Sequence, residues 1–213
     1  TPIKSSAASD VYKRQVLIQS TINSFGSIAM AGSTAGGNIE GFVWTAMDAF
    51  TQSTLSFTGQ NYGAKKFHRI TKVVWYNLGL VTVVGLVLGI GAYLVGPWVL
   101  QVYSSDPEVI AYGLERMLLV CTPYALCGVM NVLVGAMRGL GSSLTPMVVS
   151  IFGVCVLRVV WIYTVFPLDP SFAMLFLSYP VTWAVTAAIE VVCFFVIRKK
   201  AIARAGGMAA DAD

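Results

Sequence analysis

The chain has 213 residues, of which 56% are hydrophobic and only 11% are charged. A soluble domain carries roughly 25% charged residues, and so few charges cannot cover the surface of a water-soluble globule. This composition excludes a soluble enzyme, a disordered regulator and a nucleic-acid-binding protein. The net charge of +4 is also too small for the phosphate-binding surface of a nucleic-acid-binding protein. The chain is therefore predicted to be an all-α polytopic membrane protein.

Residues 1–15 do not fit a membrane helix. They lack apolar character and begin with Thr1 rather than methionine, and the run SDVYKRQ at 9–15 resembles translated sequencing-adapter sequence. We interpret 1–15 as non-native sequence and 16–25 as the end of a helix whose beginning is missing. The chain is therefore expected to be a fragment of a longer protein.

Apolar runs closed by turn residues predict the helices that follow. Four runs are long enough to cross a hydrocarbon core of about 30 Å, and they end at residues that favour turns. Together with a more polar helix they give a lobe over 16–198, with one truncated and five full transmembrane helices. These lie at about 16–25, 27–60, 71–96, 107–137, 143–166 and 171–197, and a tail follows at 199–213.

The helix at 27–60 is rich in Gly, Ala, Ser and Thr and contains two acidic residues, Glu40 and Asp48. Two G-x-x-x-G patterns in it, which begin at Gly32 and Gly37, allow another helix to approach closely. A helix this polar cannot face lipid on all sides. It is expected to pack against protein or to line a water-filled cavity.

The distribution of basic residues predicts the orientation in the membrane. Lys and Arg occur in the loop at 61–72, at Arg138 and after the last helix, whereas the loops at 97–107 and 167–171 have none. Because cytoplasmic loops carry the excess of basic residues, these basic segments are expected in the cytoplasm. The chain is predicted to be a multi-pass protein of the cell membrane with a cytoplasmic C-terminus.

Two motifs carry a family resemblance. The first is Q-x-x-G-A, formed by Gln60, Gly63 and Ala64 and followed by basic residues. The second is G-A-M-R-G-L-G at 135–141, which includes Arg138 and Gly139 and precedes Thr145-Pro146 and Arg158. Their order and separation resemble one lobe of the multidrug and toxic compound extrusion (MATE) family.

The resemblance implies half of a twelve-helix fold, with this chain as the C-terminal lobe. It also implies secondary active efflux by alternating access, driven by Na⁺ or H⁺ and without another cofactor. The expected partners are cationic or amphipathic small molecules, membrane lipids and the missing N-terminal lobe. In Na⁺-coupled relatives an acidic residue of the tenth helix contributes to a cation site, but here that position aligns near Cys127. Coupling is therefore expected to depend on the N-terminal lobe.

Five polar residues within the predicted helices are candidate substrate- or ion-binding groups. Asp48 and Glu40 either bind a cation or proton in a wet cavity or are satisfied locally, Asp48 by Thr45, Thr51 or Gln52 and Glu40 near the outer interface. Arg158 either pairs with a carboxylate or braces the bundle, and Asn131 is a cavity donor or joins two helices. Glu190 either contributes to a site or extends to the cytoplasmic interface. We expect Glu115 and Arg116 to form an interfacial pair.

Two alternative functions remain at this point. A lipid-linked oligosaccharide or polysaccharide flippase of the same superfamily shares the architecture, and a cavity rich in arginine favours it because the cargo carries phosphate. An intramembrane enzyme is disfavoured because the sequence has no H-E-x-x-H or G-x-G-D motif. His68 is the single histidine and the four cysteines lie in apolar runs, so no metal site is predicted.

Overall fold

The computed structural model describes residues 19–210, with side chains up to 205, and in this range it is helical with no strand. Helical residues 19–23 precede six longer elements, so the predicted all-α fold class is confirmed. The interpretation of 1–15 as non-native lies outside the described residues. The elements are α1 (Ser27–Gly63), α2 (Phe67–Tyr103), α3 (Pro107–Val120), α4 (Tyr124–Gly139), α5 (Leu144–Leu168) and α6 (Phe172–Ala210).

Three of the described helices are long and apolar enough to cross a membrane. These are α2, α5 and α6, with mean hydropathies of 2.4, 2.2 and 2.0 over their most apolar windows, and α3 with α4 adds a fourth crossing if the bent pair counts as one span. Helix α1 has the length but not the apolar composition, in agreement with the expectation that it needs protein or water beside it.

The helix predicted at 107–137 is broken in the structure. Its two halves, α3 and α4, meet at a bend of 46° over residues 121–123. Pro123 precedes the first residue of α4, and a proline inside a helix removes a hydrogen bond and clashes with the preceding turn. The predicted apolar run is present, but it forms two helices rather than one, because Pro123 interrupts it.

Two predicted helix ends are also displaced. Helix α2 continues through Gly96-Pro97 to Tyr103, where the turn at 96–98 was expected to end it. Leu100, in the extra turns, lies against Gly113 of α3, so these turns cover α3. Helix α6 runs on from the apolar segment into the basic tail and ends at Ala210.

Helix α1 is the centre of the bundle and packs against α2, α3 and α4. Glycines make the close contacts: Gly32 and Gly36 lie against the backbone of Val109 and Gly113 on α3. On α4, Gly135 and Gly139 lie against the backbone of α1 at Thr51 and Leu55. The first G-x-x-x-G pattern therefore forms a real helix contact, as small residues allow.

Two left-handed residues terminate α1 and α4. After α1, Lys65 has φ of 54°, and after α4, Gly141 has φ of 82°. Both ends are Schellman motifs: Lys66 N–H donates to the Asn61 carbonyl at 2.9 Å, and Ser142 N–H donates to the Met137 carbonyl at 3.0 Å. Glycine takes this conformation at no steric cost, whereas a side chain such as that of Lys65 costs about 1–2 kcal/mol.

Candidate functional site

A stripe of polar side chains runs along α1 on the side opposite to its buried face. With 3.6 residues per turn, the stripe lies across the helix from the buried residues Val43, Met47 and Thr54. All its members are exposed except Asp48, which is partly exposed. The polar stripe consists of Thr34, Asn38, Thr45, Asp48, Gln52 and Ser56.

Asp48 is the single carboxylate in this stripe. It forms no hydrogen bond or ion pair with any described residue. Thr45 and Thr51 donate their hydroxyl hydrogens to the carbonyls of Gly41 and Met47, at 2.9 and 3.3 Å. The two threonines considered from the sequence are therefore engaged elsewhere, and Gln52 forms no hydrogen bond with Asp48. The carboxylate is open to the space in front of the polar stripe.

Glu40 lies on another side of α1 and is neutralised within the bundle. Its Oε2 accepts from the guanidinium of Arg116 on α3 at 2.7 Å, and both side chains are only 16% exposed. The same guanidinium donates to the Ser33 carbonyl and hydroxyl at 2.8 Å. The expected Glu115–Arg116 pair is wrong, because adjacent helical residues diverge whereas Gly37 lets Arg116 lie flat against α1.

Arg158 is held between α5 and α6 without a carboxylate partner among the described residues. Its guanidinium carbon lies 3.7 Å from the ring centroid of Tyr179, and it donates to the Thr182 hydroxyl at 3.3 Å. Such cation–π contacts contribute about 2 kcal/mol when desolvated. Of the two roles considered from the sequence, this geometry is that of a brace.

The two arginines are connected through stacked aromatic rings on α6. Phe176 and Tyr179 are stacked with centroids 5.7 Å apart, and Arg116 lies 5.1 Å from the Phe176 centroid. Tyr179 also meets Trp183 edge to face at 5.8 Å. Helices α3 and α5 are thereby fixed to the same face of α6, through residues that no local sequence pattern marks as a set.

Glu190 is fully buried between α5 and α6, so its extension to the cytoplasmic interface is wrong. Ser150 donates to its Oε1 at 3.0 Å, and Oε2 has no partner among the described residues. One turn before Glu190 on α6, Thr186 lies directly against Gly153 of α5. These contacts fall at the π-helical segment Ile151–Val156 of α5, a rare geometry that is frequent at functional sites.

The motif residues come together at one end of the bundle. Gly139 packs against Thr58, which places the end of α4 beside the Q-x-x-G-A segment of α1. Gln60 donates to the Ser56 hydroxyl at 3.1 Å, Ala64 caps α1, and Arg138 is exposed. Nothing lies within 4 Å of a Cβ placed at Gly63, and the left-handed residue of the turn is Lys65 rather than Gly63.

Asn131 bonds within its own helix rather than across to another one. Its amide donates to the Cys127 sulfur at 3.5 Å. Tyr124 is buried, and its ring meets that of Trp183 edge to face at 5.3 Å. Within residues 19–210 no three His, Cys, Asp or Glu side chains lie close enough together to hold a metal ion.

These features define a helical multi-pass membrane protein with buried charges between its helices. The MatE family model matches residues 11–164, which is more than half of the chain. The chain therefore belongs to the MatE family, as the two motifs indicated.

Curated relatives cover the chain in part. The probable multidrug resistance protein NorM of Caulobacter vibrioides is 26% identical over 56% of this chain and 26% of its own length. The probable multidrug resistance protein YoeA of Bacillus subtilis is 24% identical over 66% of this chain and 30% of its own length. The matched segments thus cover less than a third of the length of these relatives.

Solved structures show the same fold. The MATE transporter ClbM, in complex with Rb⁺, superposes with a TM-score of 0.82 and 18% identity, over 93% of this chain and 47% of ClbM. The Vibrio cholerae MATE transporter VcmN in its bent form gives a TM-score of 0.79 with 18% identity, over 88% of this chain and 43% of VcmN. The chain therefore has about half of the MATE fold.

Proposed function

We propose that this chain is the C-terminal lobe of a secondary active transporter that exports drugs or organic cations. Its membership of the MatE family and the multidrug resistance names of its relatives support this reading. The exchange is with Na⁺ or H⁺, and transport follows alternating access between two lobes. The other lobe is absent here, in line with the extent of the chain relative to its structural neighbours.

The observation that carries the proposal is the polar stripe of α1 with Asp48 in it. A charged group at mid-membrane depth costs about 2.5–3.5 kcal/mol on insertion scales unless it is solvated or paired. Asp48 has no partner in the described part of the chain, so it needs water, a cation or the opposite lobe in front of it. The polar stripe is therefore proposed as one wall of the transport pathway, and Asp48 as its cation-binding group.

A cavity at one end of the polar stripe supports this assignment. It has a volume of about 330 Å³ and is lined by Thr34, Asn38 and the end of α2 at Tyr103. This volume lies at the lower end of the range of small-molecule sites. With the orientation given by the basic residues, in which the C-terminus is cytoplasmic, this end of the stripe faces outward.

The flippase alternative has less support from the charges inside the bundle. A phosphate-bearing cargo needs arginines that are free to bind it. Arg116 is neutralised by Glu40, and Arg158 lies over the ring of Tyr179. A cationic cargo instead matches the unpaired carboxylate of Asp48.

The test is Asp48→Asn in the full-length transporter that contains this lobe. Efflux of cationic substrates from cells or vesicles should fall by about tenfold or more, since one unit of pathway charge is lost while side-chain volume is kept. Efflux of neutral amphipathic substrates should change less. Protein in the membrane is quantified for each variant, so that a loss of transport is separated from a loss of expression.

The matched control is Glu115→Gln, which removes a carboxylate that lies outside the polar stripe and has no ion pair among the described residues. It should leave efflux near the level of the unmodified transporter. Equal efflux by the Asp48→Asn variant and the unmodified protein, with unchanged dependence on pH, would remove Asp48 from the pathway. An equal loss in both variants would show that the effect comes from overall charge.

A further inference from the structure

A second cavity, of about 220 Å³, lies where three separate parts of the chain meet at the motif end of the bundle. Tyr62 comes from the end of α1, Ser142 from the α4–α5 turn and Thr145 from the first turn of α5, and Lys200 and Arg204 come from α6. We call it the basic cavity. It is separate from the polar stripe and from the interface that buries Glu190.

The walls of the basic cavity are fixed by hydrogen bonds. The Tyr62 hydroxyl lies 3.5 Å from the Ala201 carbonyl and connects α1 to α6. On the opposite wall, the Ser142 hydroxyl donates to the Thr145 hydroxyl at 3.3 Å. The left-handed Gly141 turns the chain so that both hydroxyls reach the cavity. The Thr145 hydroxyl accepts the bond from Ser142, so its own hydrogen remains available to a ligand beside the two basic side chains.

The charge in the basic cavity is one-sided. Lys200 and Arg204 are four residues apart on α6, so their side chains are neighbours, and like charges at this spacing repel. Neither forms an ion pair with a described residue, and no acidic side chain lines the cavity. Two cations with adjacent hydroxyl groups match the oxygens of a phosphate, which arginine binds through paired hydrogen bonds.

The position of the basic cavity along the helices indicates a lipid rather than a free ion. On α6 the apolar run ends at Ile197, which lines the cavity, and the basic residues begin at once with Arg198. Below the cavity the neighbouring surfaces are exposed and apolar, with Val148 and Phe152 on α5 and Val192 and Val196 on α6. This step from apolar to basic surface is where lipid headgroups lie.

We propose that the basic cavity binds the headgroup of an anionic phospholipid, with the phosphate between Lys200 and Arg204. The acyl chains lie on the exposed apolar surface of α5 and α6. Because the cavity has no carboxylate to accept an ammonium group, a headgroup with net negative charge binds better than a zwitterionic one. The bound lipid lies between α6, the α4–α5 turn and the end of α1, and adds a further contact among them.

The test measures lipid binding directly and is independent of transport. Purified full-length protein is titrated with phosphatidylglycerol, phosphatidylethanolamine or phosphatidylcholine, and retained lipid is counted by native mass spectrometry. The unmodified protein should retain phosphatidylglycerol preferentially. The double variant Lys200→Gln/Arg204→Gln should bind it about 25-fold more weakly, at about fivefold for each basic residue near a charged lipid surface.

The matched control is Lys66→Gln/Arg69→Gln, which removes the same charge from exposed residues at the same end of the bundle but outside the basic cavity. It should retain phosphatidylglycerol as the unmodified protein does. Equal losses in both double variants, or equal retention of the three lipids by the unmodified protein, would overturn the proposal. So would complete displacement of the lipid by inorganic phosphate, because the site would then be one for a free anion.

Discussion

The Arg116–Glu40 pair shows how a single contact can decide the packing of a helix. Arg116 binds Glu40 and Ser33 on α1 and the Phe176 ring on α6, so one guanidinium joins three helices. A buried pair of this kind contributes little net stability by itself. Removing one partner, however, leaves an uncompensated charge inside the bundle.

Arg116→Met should therefore lower the free energy of unfolding by about 3–5 kcal/mol, measured by denaturant titration in detergent micelles. The double variant Arg116→Met/Glu40→Leu removes both charges and should recover most of this loss. As a control, Glu115→Gln at the neighbouring position should change stability by less than about 0.5 kcal/mol. A double variant as unstable as Arg116→Met would show that the packing of the guanidinium matters more than its charge.

At this scale the sequence indicated which residues were unusual but not what they contact. Four polar residues stand out in the helices, and each has a different environment in the structure: Glu40, Asp48, Arg158 and Glu190. The partner of Glu40 lies 76 residues along the chain, where no periodic pattern connects the two. The G-x-x-x-G pattern at Gly32 was the available clue, since it marks the helix face that meets α3.

Among the elements, α5 departs most from regular geometry. Its π-helical segment brings Gly153 against Thr186 and Ser150 against Glu190. A side-chain carbon on Gly153 would lie 2.9 Å from the Thr186 Cβ and Cγ2, closer than packed carbon atoms approach. Thr186 is fully buried on α6, so neither helix can move aside freely.

Gly153→Ala should accordingly destabilise the protein by about 1–3 kcal/mol, the usual range for overpacking. Gly91→Ala is the control, because Gly91 lies within α2 with nothing inside 4 Å of the added carbon. That substitution should be neutral or stabilise by up to about 1 kcal/mol through helix propensity. Thermal unfolding followed by circular dichroism compares the two, and equal midpoints would contradict the close contact seen here.

The ends of helices were predicted well where turn residues coincide with charged residues. They were missed where a turn residue lies within an apolar run. Gly63 ends α1 beside a basic turn, close to the expected end. The break at Pro123 and the continuation through Pro97 were both missed, although each involves a proline in an apolar run. Packing against a neighbouring helix decides whether a helix breaks or continues at a proline. Local sequence patterns do not show which helices become neighbours.

For the whole molecule, the testable feature is its orientation in the membrane. The turns after α1 and α4 and the basic part of α6 lie at one end, because Tyr62, Ser142 and Arg204 line one cavity. The basic residues favour the cytoplasm for this end. The loop between α2 and α3 then lies outside.

Ser105→Cys should react with a membrane-impermeant thiol reagent added to intact cells, whereas Lys199→Cys should react only after the cells are opened. Both positions are exposed. The four native cysteines are replaced by alanine in both variants, so that only the introduced thiol reports. Labelling of Lys199→Cys in intact cells would show that the predicted orientation is wrong.

The overall architecture was the most predictable level. Apolar runs and two motifs were sufficient for the helical class and for the family, because both depend on composition and local spacing. The polar character of α1 was also visible, and the structure adds that its polar side chains lie opposite its buried face. Which groups lie together depends on the arrangement of the helices around them, and local sequence patterns do not specify that arrangement.

The polar character of α1 also bears on how the protein enters the membrane. During synthesis a segment leaves the translocon when it is hydrophobic enough to partition into lipid. Helix α1 falls short of that apolar composition, whereas α2, which follows after a three-residue turn, has a mean hydropathy of 2.4. We therefore expect α1 to be retained until α2 has been made, and the two helices to enter the bilayer together as one hairpin.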